Sequence, residues 1–489
     1  MRMVVFAITF LACMVDVLVL GLKSAVEHTQ NNAFAEIQMI PKAVNICRGC
    51  RSFSALNTFA RFLLSFIPTA AFIFSPSRAR LPTNKSARPT LCQVMLESAD
   101  IVSWNELQRL LPSSSVPEPR IIDSAIEKGM YLSMPELTGL TLFRERHGWC
   151  PYSERVWLAL EIKGLQYETV LIDNTGPGRK PSWWGGSTPQ IRWEEGGQQG
   201  ESLDIIRALD KKYPDAERLW PNDEVTDLVN AFKRIFPRGT RPSSRAAFLF
   251  KGWGDDPVAR QEFEQTLDKT NELLGEYDDG PFFYGAKVTA ADIAWAPFLE
   301  RYSEQLPCLH AGLDPRDRSR WPRLANWYDA MMQKVPAYAA RVRGDNVSWR
   351  KVLSMAGFGN AGVAPVLVPE DPSKKITLDT DEGDWSLYAS KRPYVASTAE
   401  KEAAARVVRN REAIVADAVK RGALKEADAD SSLRGLASLL AGVEVEPDAL
   451  PAVTAAADYL AERMCVPRDM GVLPSRALRG LAERLHNRA

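Results

Sequence analysis

From Leu140 onward the apolar positions change period in a regular order. Leu140 to Phe143 is a compact apolar run of strand length. Ser153 to Lys163 then spaces Val156, Leu158, Ala159, Leu160 and Ile162 along a helix that Gly164 stops, and Tyr167 to Ile172 returns as a β-branched strand. This order predicts a βαβ unit, whose crossover implies parallel strands. A loop rich in Gly, Pro and Trp follows (Thr175 to Ser187). Gln190 to Trp193 then reads as a short strand, Gly196 and Gly197 as a turn, and Ser202 to Lys212 as a helix, which completes a βαβ followed by ββα.

Pro214 to Asn222 reads as a linker, and beyond it the pattern is helical to about Gly357. Gln261 to Tyr277 repeats apolar residues at Phe263, Leu267, Leu273 and Leu274, and Asp292 to Tyr302 and Trp321 to Lys334 are further amphipathic helices. Thr289 with Asp292 three residues later predicts a capping-box start, with Val288 as a hydrophobic staple. A polar, acidic linker (Pro369 to Asp384) leads to Ala- and Arg-rich sequence. There Ser397 and Glu400 suggest another capping box, Val407, Val408, Ile414, Val415 and Ala418 share a helix face, and Gly422 ends it. Ser432 to Ala441, Ala452 to Met464 and Ser475 to His486 continue as helices.

The domain plan expected from these patterns is a targeting region over 1–95, an irregular linker over 96–135, an α/β domain over 136–221, an all-α domain over 222–362, a linker over 363–394 and a small helical module over 395–489. The 489 residues, 45% hydrophobic and 25% charged, have the makeup of a multidomain globular protein, which argues against a polytopic membrane protein, a fibre or a wholly disordered chain. Sixty-one Lys plus Arg balance 61 Asp plus Glu, so no global field draws the chain to nucleic acid. The balance is uneven along the chain. No acidic residue falls between Glu36 and Glu97, where Lys42, Arg48, Arg51, Arg61, Arg78, Arg80, Lys85 and Arg88 do. That bias, behind the apolar run Met3 to Leu22, reads as a signal plus transit peptide and predicts a plastid location. A membrane-anchored form that keeps the N-terminal segment, or a cytoplasmic one, is the alternative.

Seven cysteines in a chain this long do not make a disulfide framework, and Cys47 and Cys50 form a CxxC in low-complexity basic sequence where chance accounts for it. Cys150 is different. In Trp149-Cys150-Pro151-Tyr152-Ser153 it stands where the first strand ends and the first helix begins, facing unpaired backbone N–H groups and the positive end of a helix dipole, which favour thiolate over thiol. Pro151 at the first helical position helps fix the turn. The bland alternative is a buried, inert cysteine. Ser153 holds the place of a second cysteine, so a mixed disulfide on Cys150 would need an outside thiol to release it. Thr188 and Pro189 precede the next strand, and Glu201 and Ser202 open a helix that Ser202 can cap and whose N-terminus can hold a carboxylate. His147 could polarise Cys150, but a strand-end loop histidine is more often solvated. No metal-ligand spacing, Walker loop, dinucleotide fingerprint or serine triad appears.

Taken in this order, CPYS, TP and ES resemble the N-terminal thioredoxin-like domain of the glutathione transferase superfamily, in its cysteine-type omega, lambda and dehydroascorbate reductase classes. Arg155 to Leu160, Tyr167 to Asp173, Phe283 to Arg301 and Trp321 to Tyr338 support the resemblance, which spans about 136 to 345. It implies a multidomain chain: a thioredoxin-like glutathione-binding domain, an all-helical transferase domain and, outside the common pattern, an extra helical module. It implies that Cys150 forms the mixed disulfide, that Thr188 ahead of a cis Pro189 pairs with the cysteinyl part of glutathione, and that Glu201 and Ser202 hold its γ-glutamyl end. The loop Trp183 to Ser187 is shorter than the family's and lacks a lysine for the glycyl carboxylate; Lys180 or Arg179 could substitute, and Trp183 and Trp184 could line the site. The resulting expectation is a glutathione-dependent thiol transferase or reductase acting with glutathione as co-substrate on a small electrophile or disulfide. The rival is a non-catalytic transferase-like scaffold. The oligomeric state is left open.

Overall fold

The computed structural model describes residues 102–111, 118–124, 132–173, 179–236, 260–277, 280–354, 367–369 and 384–487; the expected targeting region, with its CxxC, lies outside them. The strands are β1 (Ile121–Asp123), β2 (Thr141–Glu145), β3 (Glu168–Ile172), β4 (Gln190–Arg192) and β5 (Gln198–Gln199), in the sheet order β1-β3-β2-β4-β5. The helices preceding the second half of the sheet are α1 (Trp104–Leu110) and α2 (Pro151–Ile162), and α3 (Ser202–Lys212) follows β5.

The predicted βαβ unit is present. β2 and β3 run parallel with Leu142 opposite Thr169 and Phe143 opposite Val170, and α2 crosses between them. β4 then runs antiparallel to β2, Leu142 opposite Ile191, and β5 pairs antiparallel with β4. Val156 through Leu160 of α2 are all buried, because one side of the helix packs on the sheet and the other on the helical domain. Gly164, with φ at 63°, turns the chain out of that helix as the sequence suggests.

The stretch 96–135, expected to be irregular, carries two regular elements among its described residues. It supplies α1, whose Ser103 and Glu106 form a capping box, and β1, which adds a parallel edge to β3 through Ile122 opposite Val170. Seven and three residues are too short for a period to show.

The all-α half comprises α4 (Asp223–Ile235), α5 (Arg260–Leu273), α6 (Ala290–Leu309), α7 (Pro322–Lys334) and α8 (Asn346–Ser354), with a π-helical turn at Tyr338–Val342 between the last two. α6 starts at the predicted box: Thr289 caps it, and the Asp292 carboxylate accepts the Thr289 N–H at 2.8 Å, the Phe283 N–H at 3.1 Å and the Trp327 indole N–H at 2.9 Å. This helix is buried almost all round. Trp295, Phe298 and Tyr302 meet Phe232 and Phe236 of the α4 end in one aromatic cluster. Arg155 ties α2 to it, its guanidinium donating twice to the Ala294 carbonyl at 2.9 and 2.6 Å.

Beyond them lie α9 (Trp385–Ala389), α10 (Ala399–Lys420), α11 (Ala429–Ala441), α12 (Leu450–Arg463) and α13 (Val472–His486). Val407, Leu433, Leu436, Val453 and Leu478 share a second core, completed by Leu107 of α1. Two expectations need correction. Thr398, not Ser397, caps α10, accepting the Lys401 N–H. The segment 363–394, read as a linker, carries α9 and buries its Trp385 and Tyr388: Trp385 donates to the Ala396 carbonyl at 2.7 Å, and Arg392 pairs with Glu161 of α2 at 2.8 Å. Among the described residues no helix is long and apolar enough to cross a membrane.

Candidate active site

The site is built at the C-terminal end of β2. Its last residue, Glu145, is buried, and its carboxylate accepts the backbone N–H groups of His147 and Trp149, both at 2.7 Å. One side chain thereby folds the loop that delivers Cys150 to the start of α2. Cys150 is the N-cap, Pro151 follows at the first helical position, and the N–H groups of Tyr152 and Ser153 with the Ser153 hydroxyl favour a charged sulfur. The Cys150 Sγ lies 3.8 Å from the Thr188 carbonyl, and the Thr188–Pro189 peptide is cis. Two motifs 38 residues apart in sequence are thus brought together.

The electrostatics depart from expectation. Cys150 is only 1% exposed, and burial pushes its thiol above the ordinary value, helped by the nearby Glu145 carboxylate, against the opposing pull of Ser153 and the helix N–H groups. Desolvation outweighs the dipole, so the resting sulfur is a thiol rather than a pre-formed thiolate. His147, expected to be solvated, is buried with its ring stacked on Trp149 at 4.6 Å. Burial, then the positive charges of Arg468 and Arg146, push it down to about 4, so at neutral pH it brings no charge to the cysteine.

The other predicted residues fall as follows. Glu201 stands ahead of α3 at φ 62°, the one non-glycine residue in the left-handed region among those described, and is exposed. Ser202 is the first helical residue and buried; it does not cap α3, as had been expected, because Glu201 occupies the N-cap position and makes no side-chain cap bond. Lys180 is exposed, and Arg179 pairs with Asp173 at 3.6 Å. Trp183 and Trp184 pack on the sheet, edge-on to Phe143 at 6.4 Å and stacked on it at 5.0 Å respectively.

Two groups were missed by sequence reasoning. Arg301 of α6, wholly buried, donates to Glu154 at 2.6 Å and to the Trp149 carbonyl at 3.2 Å, holding the cysteine loop from the far domain. The hint in the sequence was the Glu300-Arg301 charge pair within a helix whose preceding turns are apolar. The segment between α12 and α13 also reaches the loop: Pro467 abuts Gly148, where a Cβ would lie 2.9 Å from its Cγ, and the Cys465 sulfur lies beside the Trp149 indole. Cys465 is buried and its thiol pushed up by that burial.

This pairing of a thioredoxin-like βαβ-ββα half with an all-helical half defines the class of protein. The glutathione S-transferase N-terminal domain model matches residues 149–212, and the C-terminal domain model residues 227–330. Glutathione S-transferase L1 of Arabidopsis thaliana is 32% identical over 200 residues, 39% of this chain and 76% of that protein. A probable glutathione S-transferase DHAR2, chloroplastic, of Oryza sativa subsp. japonica is 29% identical over 163 residues, 32% of this chain and 53% of that protein. Among solved structures, glutathione transferase Omega 3C from Trametes versicolor aligns at a TM-score of 0.35 and 20% identity, covering 45% of this chain and 90% of that one. The chain belongs to the glutathione S-transferase family.

Proposed function

We propose that the chain is a glutathione-dependent thiol transferase or reductase with Cys150 as its nucleophile. The observation that carries this reading is the seat of Cys150: N-cap of α2, with its sulfur 3.8 Å from the carbonyl that precedes Pro189. The names of relatives that include a transferase and a probable DHAR2 support glutathione as co-substrate, and the word chloroplastic in the latter supports the plastid reading. In the cycle, the Cys150 thiolate attacks a glutathionyl sulfur, forming a mixed disulfide as the other thiol leaves with a proton. A glutathione thiolate then attacks that disulfide and restores Cys150, releasing oxidised glutathione. Thr188 would pair with the cysteinyl backbone, Glu201 and Ser202 would hold the γ-glutamyl end, and exposed Lys180 is the cation offered to the glycyl carboxylate. Because burial keeps the sulfur protonated, entry of the co-substrate must uncover and ionise it. Cys150→Ser should abolish reduction of hydroxyethyl disulfide and dehydroascorbate while leaving the circular dichroism spectrum unchanged. Full turnover in that variant overturns the mechanism.

The burial of Cys150 specifically favours a second reading, a non-catalytic binding protein on the transferase fold. That protein would be retained on glutathione-agarose yet show no turnover with any disulfide, and glutathione would not change the rate at which Cys150 is alkylated.

A further inference from the structure

Two acids lie buried against the start of α2 with one arginine to serve them: Glu154 in the first turn after Cys150, and Glu300 beside Arg301 on α6. Each acid satisfies one oxygen. Glu154 Oε2 accepts from the Arg301 guanidinium at 2.6 Å, and Glu300 Oε1 accepts the Gly344 N–H at 2.8 Å and the Trp349 indole N–H at 2.7 Å. The other two oxygens, Glu154 Oε1 and Glu300 Oε2, receive no donor from any described residue, and the two carboxyl groups stand within hydrogen-bonding reach of each other. Two ionised carboxylates repel in such a contact and leave two buried acceptors unmet. One proton between them removes both faults, because a protonated carboxyl donates where a carboxylate only accepts. Charge gives the same answer. Among the described residues Arg301 is the one cation in ion-pair contact with either acid, so two carboxylates would leave a net negative charge that a single proton cancels. Burial, and then the Glu154 charge, hold the Glu300 carboxyl well above the usual carboxylate range. Tyr338 and Arg343, from the π-helical turn and the residue after it, also face this cluster, and burial keeps the Tyr338 phenol neutral.

The cluster grips the cysteine on both sides of its position in the chain. The Glu154 N–H donates to the Cys150 carbonyl at 3.1 Å, Arg301 donates to the Trp149 carbonyl at 3.2 Å, and the Arg301 charge acts on the Cys150 sulfur. Arg301 in turn lies 4.4 Å over the Trp349 ring, whose indole N–H Glu300 holds, so Glu300 fixes both the arginine and the acid it serves. We propose that Glu154 and Glu300 share one proton and that Glu300 is thereby a positioning residue for Cys150, acting through Glu154 and Arg301. With the proton in place the two acids and the arginine carry no net charge, and Arg301 and the N–H groups at the start of α2 act on the sulfur undiminished. Without it a net negative charge sits against that helix start and opposes the thiolate. The role in turnover rests on the reading of Cys150 as the nucleophile.

The test uses the full chain and Glu300→Gln, whose amide keeps an acceptor for Gly344 and Trp349 and offers Glu154 an N–H where the proton stood. At neutral pH the infrared spectrum of the wild type should contain the carbonyl stretch of a protonated carboxylic acid that Glu300→Gln removes, with the melting temperature kept. Glu300→Leu strands the same partners and should melt lower, so that only the glutamine restores stability. The pH profile of iodoacetamide alkylation at the Cys150 peptide, read by mass spectrometry, should be broader than a one-proton titration in the wild type, because the sulfur and the acid pair ionise against each other. In Glu300→Gln it should narrow to a single proton and run faster at the alkaline end. A wild type without the acid band, or a band that survives Glu300→Gln, overturns the shared proton, the first of these whether or not the variant folds. A band lost with superimposable alkylation profiles overturns the link to Cys150. Full turnover in Cys150→Ser beside the expected band and profiles would instead sink the nucleophile reading alone.

Discussion

Glu145 fixes the cysteine loop by accepting two backbone N–H groups while buried, so its loss leaves both donors without a partner. At about 1–3 kcal/mol for each such group, Glu145→Ala should lower the unfolding free energy by roughly 2–6 kcal/mol, measured by denaturant titration. His147 gives a pH signature of opposite origin. Its folded pKa of about 4 lies below the ordinary 6.5, so the stability that a neutral imidazole contributes is complete above 6.5 and is lost as pH falls through 4. The difference corresponds to ~3 kcal/mol. His147→Asn should therefore lose less stability than wild type between pH 7 and pH 4. Cys150 titrates the other way: its raised pKa predicts that iodoacetamide alkylation keeps rising with pH where an ordinary thiol has levelled off, unless glutathione is bound. The position of Cys150 at a strand-helix junction was legible because adjacent residues encode it. Its burial was not, because it depends on groups such as Thr188, Glu145 and Arg301 that only folding brings near.

At the scale of elements, the sequence was most informative where a helix is long and one-sided. α3 spans Ser202–Lys212 as its pattern predicts, and α11 ends at Gly442, which takes the left-handed conformation expected of a helix terminator. It failed for α1, β1 and α9, which are held by contacts from elsewhere in the chain rather than by their own period. Register between elements rests on buried charges. Arg301 on α6 and Glu154 on α2 form a wholly buried pair across the domain boundary. Arg301→Ala strands Glu154 and should cost about 3–5 kcal/mol, seen as a lower melting temperature. Arg301→Met combined with Glu154→Leu removes both charges and should recover most of that loss.

For the whole molecule, the notable fact is how the C-terminal helices are joined to the transferase half. Glu161, on α2, receives the Tyr388 hydroxyl at 3.2 Å and Arg392 at 2.8 Å, and Asp345 pairs with Arg479 of α13. Arg144 and Arg341 lie over the Trp157 ring at 4.3 and 4.7 Å beside this junction. Composition and motif spacing announced the extra helices but not this seam, since its partners stand more than a hundred residues apart. Arg392→Met should destabilise the transferase half as well as the module, so that both melt in one lowered transition rather than two. The consequence reaches beyond stability. A gene fragment ending before Trp385 would encode a transferase half whose Glu161 keeps the Tyr167 hydroxyl but has lost the Arg392 guanidinium that neutralises it, so the two portions have lost the freedom to be exchanged or shed independently, and any recombinant boundary drawn between them cuts through a working joint.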